Sequence, residues 1–106
     1  MYAVSRRYRF DPAFAREIDD EIREYFVPMI RSAPGFVAYY WLNNGNGTGE
    51  SLSVFETKIG AEGSVNMAAT WVKMHQLFER LGTPEVIAGE VTATGTRQEA
   101  AAARKP

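Results

Sequence analysis

Cysteine is missing from all 106 residues. That single absence removes disulfides, thiolate nucleophiles, iron–sulfur clusters and cysteine zinc sites from consideration. Histidine occurs once, as His75, which is too few for a multi-histidine metal centre or a familiar nucleophile–base–orienter set. No window approaches the ~18 apolar residues of a membrane span, and the N-terminal MYAVSRRYRF lacks the apolar centre of a signal peptide. Excess charge is missing too. Twelve basic against thirteen acidic residues leave a net charge of −1, so no global field draws the chain to nucleic acid or to an anionic membrane. No basic stripe interleaves with aromatics as a strand-binding groove requires. The expectation is a cytoplasmic protein with neither nucleic acid nor membrane as a partner. Asn46-Gly47-Thr48 matches a glycosylation sequon, but without a secretory signal the match carries no weight.

What is present is an ordinary globular composition, 45% hydrophobic and 12% aromatic, in a length typical of one domain. Residues 1–95 carry all the periodic patterning, and the alanine-rich, charged 96–106 reads as a frayed tail. Residues 2 to 10 alternate: Tyr2, Val4, Arg6, Tyr8 and Phe10 share one face, and Ala3, Ser5, Arg7 and Arg9 the other. That is a strand. Asp11-Pro12 supplies a cap and a first helical residue. Phe14, Ile18, Ile22, Tyr25, Phe26 and Met29 then recur at helical spacing. Asp19 and Arg23 are placed as an i,i+4 pair, and Pro28 is expected to kink or end the helix near Val27.

The stretch from Ala33 to Thr57 reads as a hairpin. Its first strand, Phe36 to Leu42, is apolar on both faces, with Phe36, Ala38, Tyr40 and Leu42 on one side and Val37, Tyr39 and Trp41 on the other. The connecting loop holds Gly45-Asn46-Gly47-Thr48-Gly49. A phosphate-binding glycine loop delivers N–H groups at a helix start, whereas this one runs into a strand. A second helix begins between Thr57 and Ser64 and stops at Gly82. Ala61, Val65, Ala68, Ala69 and Val72 form its core stripe, with Trp71, His75 and Phe78 along one flank. Residues 85–95 form a last strand, in which Gly89 marks a bulge or a close approach.

The order strand, helix, strand, strand, helix, strand predicts an α+β, ferredoxin-like βαββαβ domain with a four-stranded antiparallel sheet and both helices on one face. The other face is left uncovered. At ~25 cal/mol per Å2, burying two or three large aromatics there favours association by several kcal/mol before entropic costs. A two-fold homodimer through the sheet face is the simplest cover.

The runs PGF at 34–36 and AYYWL at 38–42, SVFET at 53–57, the helical Ala68-Ala69-Thr70-Trp71-Val72 and the GEV at 89–91 resemble the dimeric α+β barrel superfamily that includes antibiotic-biosynthesis monooxygenases. The likeness spans residues 2 to 95. It implies a homodimer, a pocket between sheet and helices in each protomer, and oxygenation of an electron-rich aromatic without metal, flavin or other cofactor. The haem-degrading branch pairs a first-strand asparagine with a tryptophan and a haem-ligating histidine. This chain has no asparagine between Tyr2 and Phe10, and Trp71 and His75 are only four apart.

Candidate site residues follow. His75 suits proton abstraction, since its ordinary pKa of ~6.5 lies near neutrality, and Trp71 sits one turn earlier. An arginine of the first strand, Arg6, Arg7 or Arg9, buried near a pocket would hold an anionic substrate or a developing phenolate, and Arg7 is the candidate taken for that role. Tyr40, Tyr39 and Phe78 are candidates for binding a small aromatic or polyketide-like ligand, with at most one of the two adjacent tyrosines facing the pocket. Asp19-Asp20-Glu21 fan around a helix and read as a solvated face rather than a metal site. Two functions stand side by side: a cofactor-independent monooxygenase, and a non-catalytic dimeric domain that binds a small hydrophobic ligand or serves only as a scaffold.

Overall fold

A computed structural model of the chain describes residues 1–74 and 78–97. Strand β1 (Tyr2–Arg9) leads into a helix α1 built from four successive pieces: a 3-10 turn Pro12–Phe14, an α-helical stretch Ala15–Glu21, a π turn Ile22–Phe26 and a last α turn Val27–Arg31. Strands β2 (Phe36–Asn43) and β3 (Thr48–Phe55) follow, then helix α2 (Lys58–Met74), a short helix α3 (Phe78–Leu81) and strand β4 (Glu85–Glu90). The sheet order is β2-β3-β1-β4 with every pairing antiparallel. This is the ferredoxin-like arrangement that the order of elements predicts, with α1 and α2 packed on one face.

The first helix does not stop at Val27. Asp11 caps it by accepting from the Ala13 N–H at 2.9 Å, and the π turn carries it past Pro28. The Val27 N–H donates to the carbonyl of Ile22, five residues back, so the turn is wider by one residue immediately before the proline. A proline in a regular helix collides with the carbonyl four residues earlier. The π turn takes up that misfit without ending the helix. Asp19 also departs from its expected pairing with Arg23, which bonds to Asp20 instead at 2.9 Å.

Strand β2 holds a second departure. Phe36 pairs with Phe55 and Ala38 with Val54, so the register shifts between them. This bulge moves Phe36 to the same side as Tyr39 and Trp41. The helix-facing side of the sheet therefore presents Val4, Arg6 and Tyr8 from β1, with Phe10 just past its end, Phe36, Tyr39 and Trp41 from β2, and Ser51, Ser53 and Phe55 from β3. The core closes when Ile18, Ile22, Phe26 and Ile30 of α1 and Ala61, Ala68, Trp71 and Val72 of α2 pack onto them. The buried stripe of α2 includes Ser64 and Trp71, whereas Ala69 is exposed. Gly89 makes neither a bulge nor a close approach: it pairs in unbroken register with Ala3, and a β-carbon there would meet nothing within 4 Å.

The opposite face of the sheet is bare. Tyr40, Leu52, Ser5 and Ile87 lie opposite one another in one transverse row across all four strands, with Tyr40 59% and Ile87 75% exposed. The next row is charged, Leu42–Glu50–Arg7–Glu85. Among the described residues, no helix is long and apolar enough to cross a membrane.

Candidate functional site

At the centre of the helix-facing side stands Arg6, which alternation places between Val4 and Tyr8 on the buried face of β1. It is 2% exposed. Its guanidinium donates to the hydroxyl of Ser64 on α2 at 3.1 Å and to that of Ser53 on β3 at 3.4 Å. Ser64 in turn donates to the carbonyl of Ala61 at 2.6 Å, one turn back. Among the described residues, no carboxylate pairs with Arg6. Burial pulls the guanidinium below its ordinary pKa, opposed in part by Tyr8 and Tyr39, but an arginine stays charged throughout the accessible range. Among the described residues, the groups that hold this buried cation inside the domain are two neutral hydroxyls.

Two spaces meet at Arg6 and Tyr8. The inner one, about 20 Å3, lies between Tyr39, Trp41 and Phe26 on one side and Trp71 and Leu81 on the other. It has room for about one water molecule. The outer one, about 220 Å3, opens between α2 and the β1–β4 side of the sheet, walled by Val65, Ala68, Val72, Pro84 and Val86. Arg6 and Tyr8 are the charged and hydroxyl-bearing groups that line both.

Aromatic rings build the inner wall. Phe26 contacts Tyr39 at 5.2 Å and Trp71 at 5.1 Å between ring centroids, both tilted, a preferred geometry for aromatic pairs. Trp41 stacks near Phe10 at 6.5 Å and Tyr8 at 6.1 Å. Its indole N–H donates to Asp19 of α1 at 2.7 Å, and the Asn43 amide reaches the same oxygen at 3.1 Å. This contact turns Asp19 inward and explains why it does not pair with Arg23. Trp41 can lie flat here because Gly49, opposite Asn43 on β3, has no side chain. A β-carbon at Gly49 would come closer than 3.0 Å to the indole ring. The glycine-rich loop thus serves packing. Gly47, at φ 92°, likewise accommodates the Phe10 carbonyl, which a β-carbon would meet at 2.5 Å. Burial drives the Tyr39 hydroxyl well above the ordinary tyrosine pKa, with Arg6 and Ser51 opposing. Burial raises Tyr8 as well.

Of the residues singled out from the sequence, Trp71 and Tyr39 face this recess. Tyr40 points to the opposite, bare face of the sheet. Arg7 does too: it bonds to Glu50 at 2.9 Å, and that contact raises its pKa. The recess holds its neighbour Arg6 instead. His75 and the side chain of Phe78 lie outside the described residues. Sequence reasoning weighed Arg6 beside Arg7 but took Arg7, and it did not single out Tyr8 or Trp41 as site residues. A signal for Arg6 was available, since a lone cation shared the apolar face of β1 with Val4, Tyr8 and Phe10.

No protein-family model matches the chain, and no curated protein matches it in sequence. Solved structures do match in fold. A protein of unknown function from Nitrosomonas europaea superposes with a TM-score of 0.73 at 20% identity, over 90% of this chain and 92% of that one. The ActVA-Orf6 monooxygenase of Streptomyces coelicolor, solved with nanaomycin D, gives 0.70 at 14% identity over 90% of each chain. The heme-degrader MhuD of Mycobacterium tuberculosis, solved with two hemes in its active site, gives 0.71 at 12% identity over 91% of this chain and all of that one. Likeness at such identities establishes architecture: the chain has the ferredoxin-like α+β fold of the antibiotic-biosynthesis monooxygenases.

Proposed function

We propose that the recess beside Arg6 is the working site of a cofactor-independent monooxygenase acting on a small, electron-rich arene. The observation that carries this reading is the placement of one buried cation and the buried Tyr8 where an aromatic wall that includes Tyr39 meets an apolar cavity. The fold's occurrence in a monooxygenase solved with nanaomycin D supports it. In this reaction a ring carbon bearing hydrogen is oxidised by dioxygen. One oxygen atom becomes a carbonyl on that carbon, the other leaves as water, and the four electrons come from the substrate. The chain's own tasks are to bind the ring in the outer cavity against Val65, Ala68 and Val72, to hold its oxygen toward Arg6 and Tyr8, to keep water out, and to remove a proton, for which His75 is the candidate. A cavity of about 220 Å3 lies below the ~300 Å3 at which pockets for drug-sized molecules begin. That supports a small arene over a macrocycle such as haem.

A second reading, a non-catalytic domain that binds a small aromatic ligand, is favoured by one observation: among the described residues, no carboxylate lines either space. Oxygen uptake with a panel of phenols, hydroquinones and anthrone-like compounds separates the two. Uptake without added metal that falls at least ~100-fold in His75→Ala supports the oxygenase. Saturable binding with no uptake supports the binding domain. In either case the bare row of Tyr40, Leu52 and Ile87 supports a homodimer joined sheet to sheet, flanked by the Glu50–Arg7–Glu85 row.

A further inference from the structure

We propose that the cavity beside Arg6 takes its aromatic ligand as an oxyanion, an arene carrying a carboxylate or an ionised phenol, whose charge is the missing counter-ion of the buried guanidinium. This rests on the reading of the recess as the working site, though not on any reaction occurring there.

The argument is one of charge accounting. The arginine ion pairs between described residues lie at the surface: Arg7 with Glu50, Arg23 with Asp20, Arg80 with Glu17. Arg6 alone combines near-complete burial with the lack of an acidic partner among the described residues. A guanidinium has five N–H donors in a planar fork suited to two oxygens, and the serines take one bond from each of its terminal nitrogens. The serines also fix its direction, since Ser53 lies on β3 and Ser64 on α2. The guanidinium is tethered from both layers and lines both spaces. The titratable groups that act on it are Tyr8 and Tyr39, and burial opposes the ionisation of both, so neither neutralises it. A neutral arene entering this cavity leaves the cation unpaired in an environment even poorer in water. An anionic arene pairs it in a low-dielectric site, where charge-assisted hydrogen bonds are strongest. Size fits as well. An apolar cavity of about 150 Å3 admits benzene, so 220 Å3 suits one ring with its acidic substituent.

Binding to the full chain tests this without reference to turnover. Benzoate and benzamide have the same shape and differ in charge, and ligand-observed NMR reads their affinities into the millimolar range. 4-Nitrophenol tests the phenolate form, because its ionisation is visible in its own absorption. The expected result is benzoate at least about tenfold tighter than benzamide, and a bound 4-nitrophenol that ionises at lower pH than the free compound. Arg6→Gln abolishes both effects, Arg6→Lys keeps part of them, and Arg7→Gln, which alters only the outer face, changes neither. Equal affinity for the acid and the amide overturns the proposal, as does failure of both to bind, or an unchanged preference in folded Arg6→Gln. The acid–amide comparison needs only the wild-type chain, so it decides even if Arg6→Gln fails to fold. Silence on the oxygen electrode with the anion preference intact refutes catalysis and leaves this site standing. Turnover of neutral arenes with no such preference does the reverse.

Discussion

Gly49→Ala tests how the aromatic wall is built. In most strands this change stabilises by roughly 0.4–1 kcal/mol, because alanine has less freedom to lose on folding. Here the new methyl would lie closer than 3.0 Å to the Trp41 indole and at 3.0 Å from the Phe10 ring. The indole must then retreat by about half an ångström or more. It is held by its 2.7 Å hydrogen bond to Asp19 and cannot swing freely. Overpacking costs about 1–3 kcal/mol, and a weakened charge-assisted bond adds up to about 1.5. Less the roughly 0.4–1 kcal/mol gained from alanine, the net expectation is a loss of about 0.5–4 kcal/mol. For a domain of this size that lowers Tm by roughly 2–16 °C. Thermal unfolding followed by circular dichroism reads the shift, and near-ultraviolet ellipticity reports the displaced indole. In a Trp41→Leu background the same substitution is expected to be neutral or stabilising, and the difference between the two backgrounds measures the contact. A Tm for Gly49→Ala equal to or above wild type would refute the slot as the reason for glycine here.

Burial that raises the tyrosine pKa values gives a pH dependence of definite sign. The folded chain holds its Tyr8 and Tyr39 protons above pH ~10, where the unfolded chain releases them. Stability is therefore fully present below ~10 and falls as pH rises past it, by up to about 1.4 kcal/mol per pH unit for each tyrosine. Urea titrations between pH 9 and 11 are expected to show a shallower loss in Tyr39→Phe than in wild type, and identical slopes would count against its burial. Leu52→Asp places a charge in the middle of the bare row, with Tyr40 and Ser5 as its lateral neighbours. Sedimentation equilibrium is expected to show a dimer for wild type and a monomer for the variant, whereas a wild-type monomer would sink the sheet-face association. Arg80→Ala removes a surface bond to Glu17 and a cation–π contact with Phe14 at 4.7 Å. With both partners partly exposed, its cost is expected to stay within about 1 kcal/mol in chemical denaturation, and a larger loss would show α3 to be a stronger clamp on α1 than its exposure implies.

The layer order and the inward face of β1 were legible in the sequence because a period of two or of 3.6 survives as long as the backbone stays regular. What went unread was backbone irregularity. Nothing in Phe36-Val37-Ala38 announces a bulge, yet that one register shift decides that Phe36, Tyr39 and Trp41 face the helices while Val37, Tyr40 and Leu42 do not. The π turn before Pro28 was equally silent, because the proline signals only that something must give. Choosing Arg7 over Arg6 failed for a different reason. Local alternation placed the two on opposite faces, but which arginine had acidic partners depended on Glu50, brought alongside by strand pairing 43 residues away.

That pairing also explains why the two arginines settle into opposite roles. On the outer face Arg7 has Glu50 and Glu85 beside it in one row, with water to screen all three, so its charge is satisfied and adds little to stability. One residue earlier, Arg6 crosses into the core, where the sheet offers only Ser51, Ser53 and two tyrosines. A folded chain selected for stability alone would place a methionine or leucine there, because well-packed apolar residues commonly match or exceed buried charges in stability. A guanidinium retained in that position, tethered to both layers and facing a cavity, is the kind of local conflict that marks working sites rather than scaffolding. The fold supplies the aromatic wall and the enclosure, and among the described residues that line the recess Arg6 is the charged one.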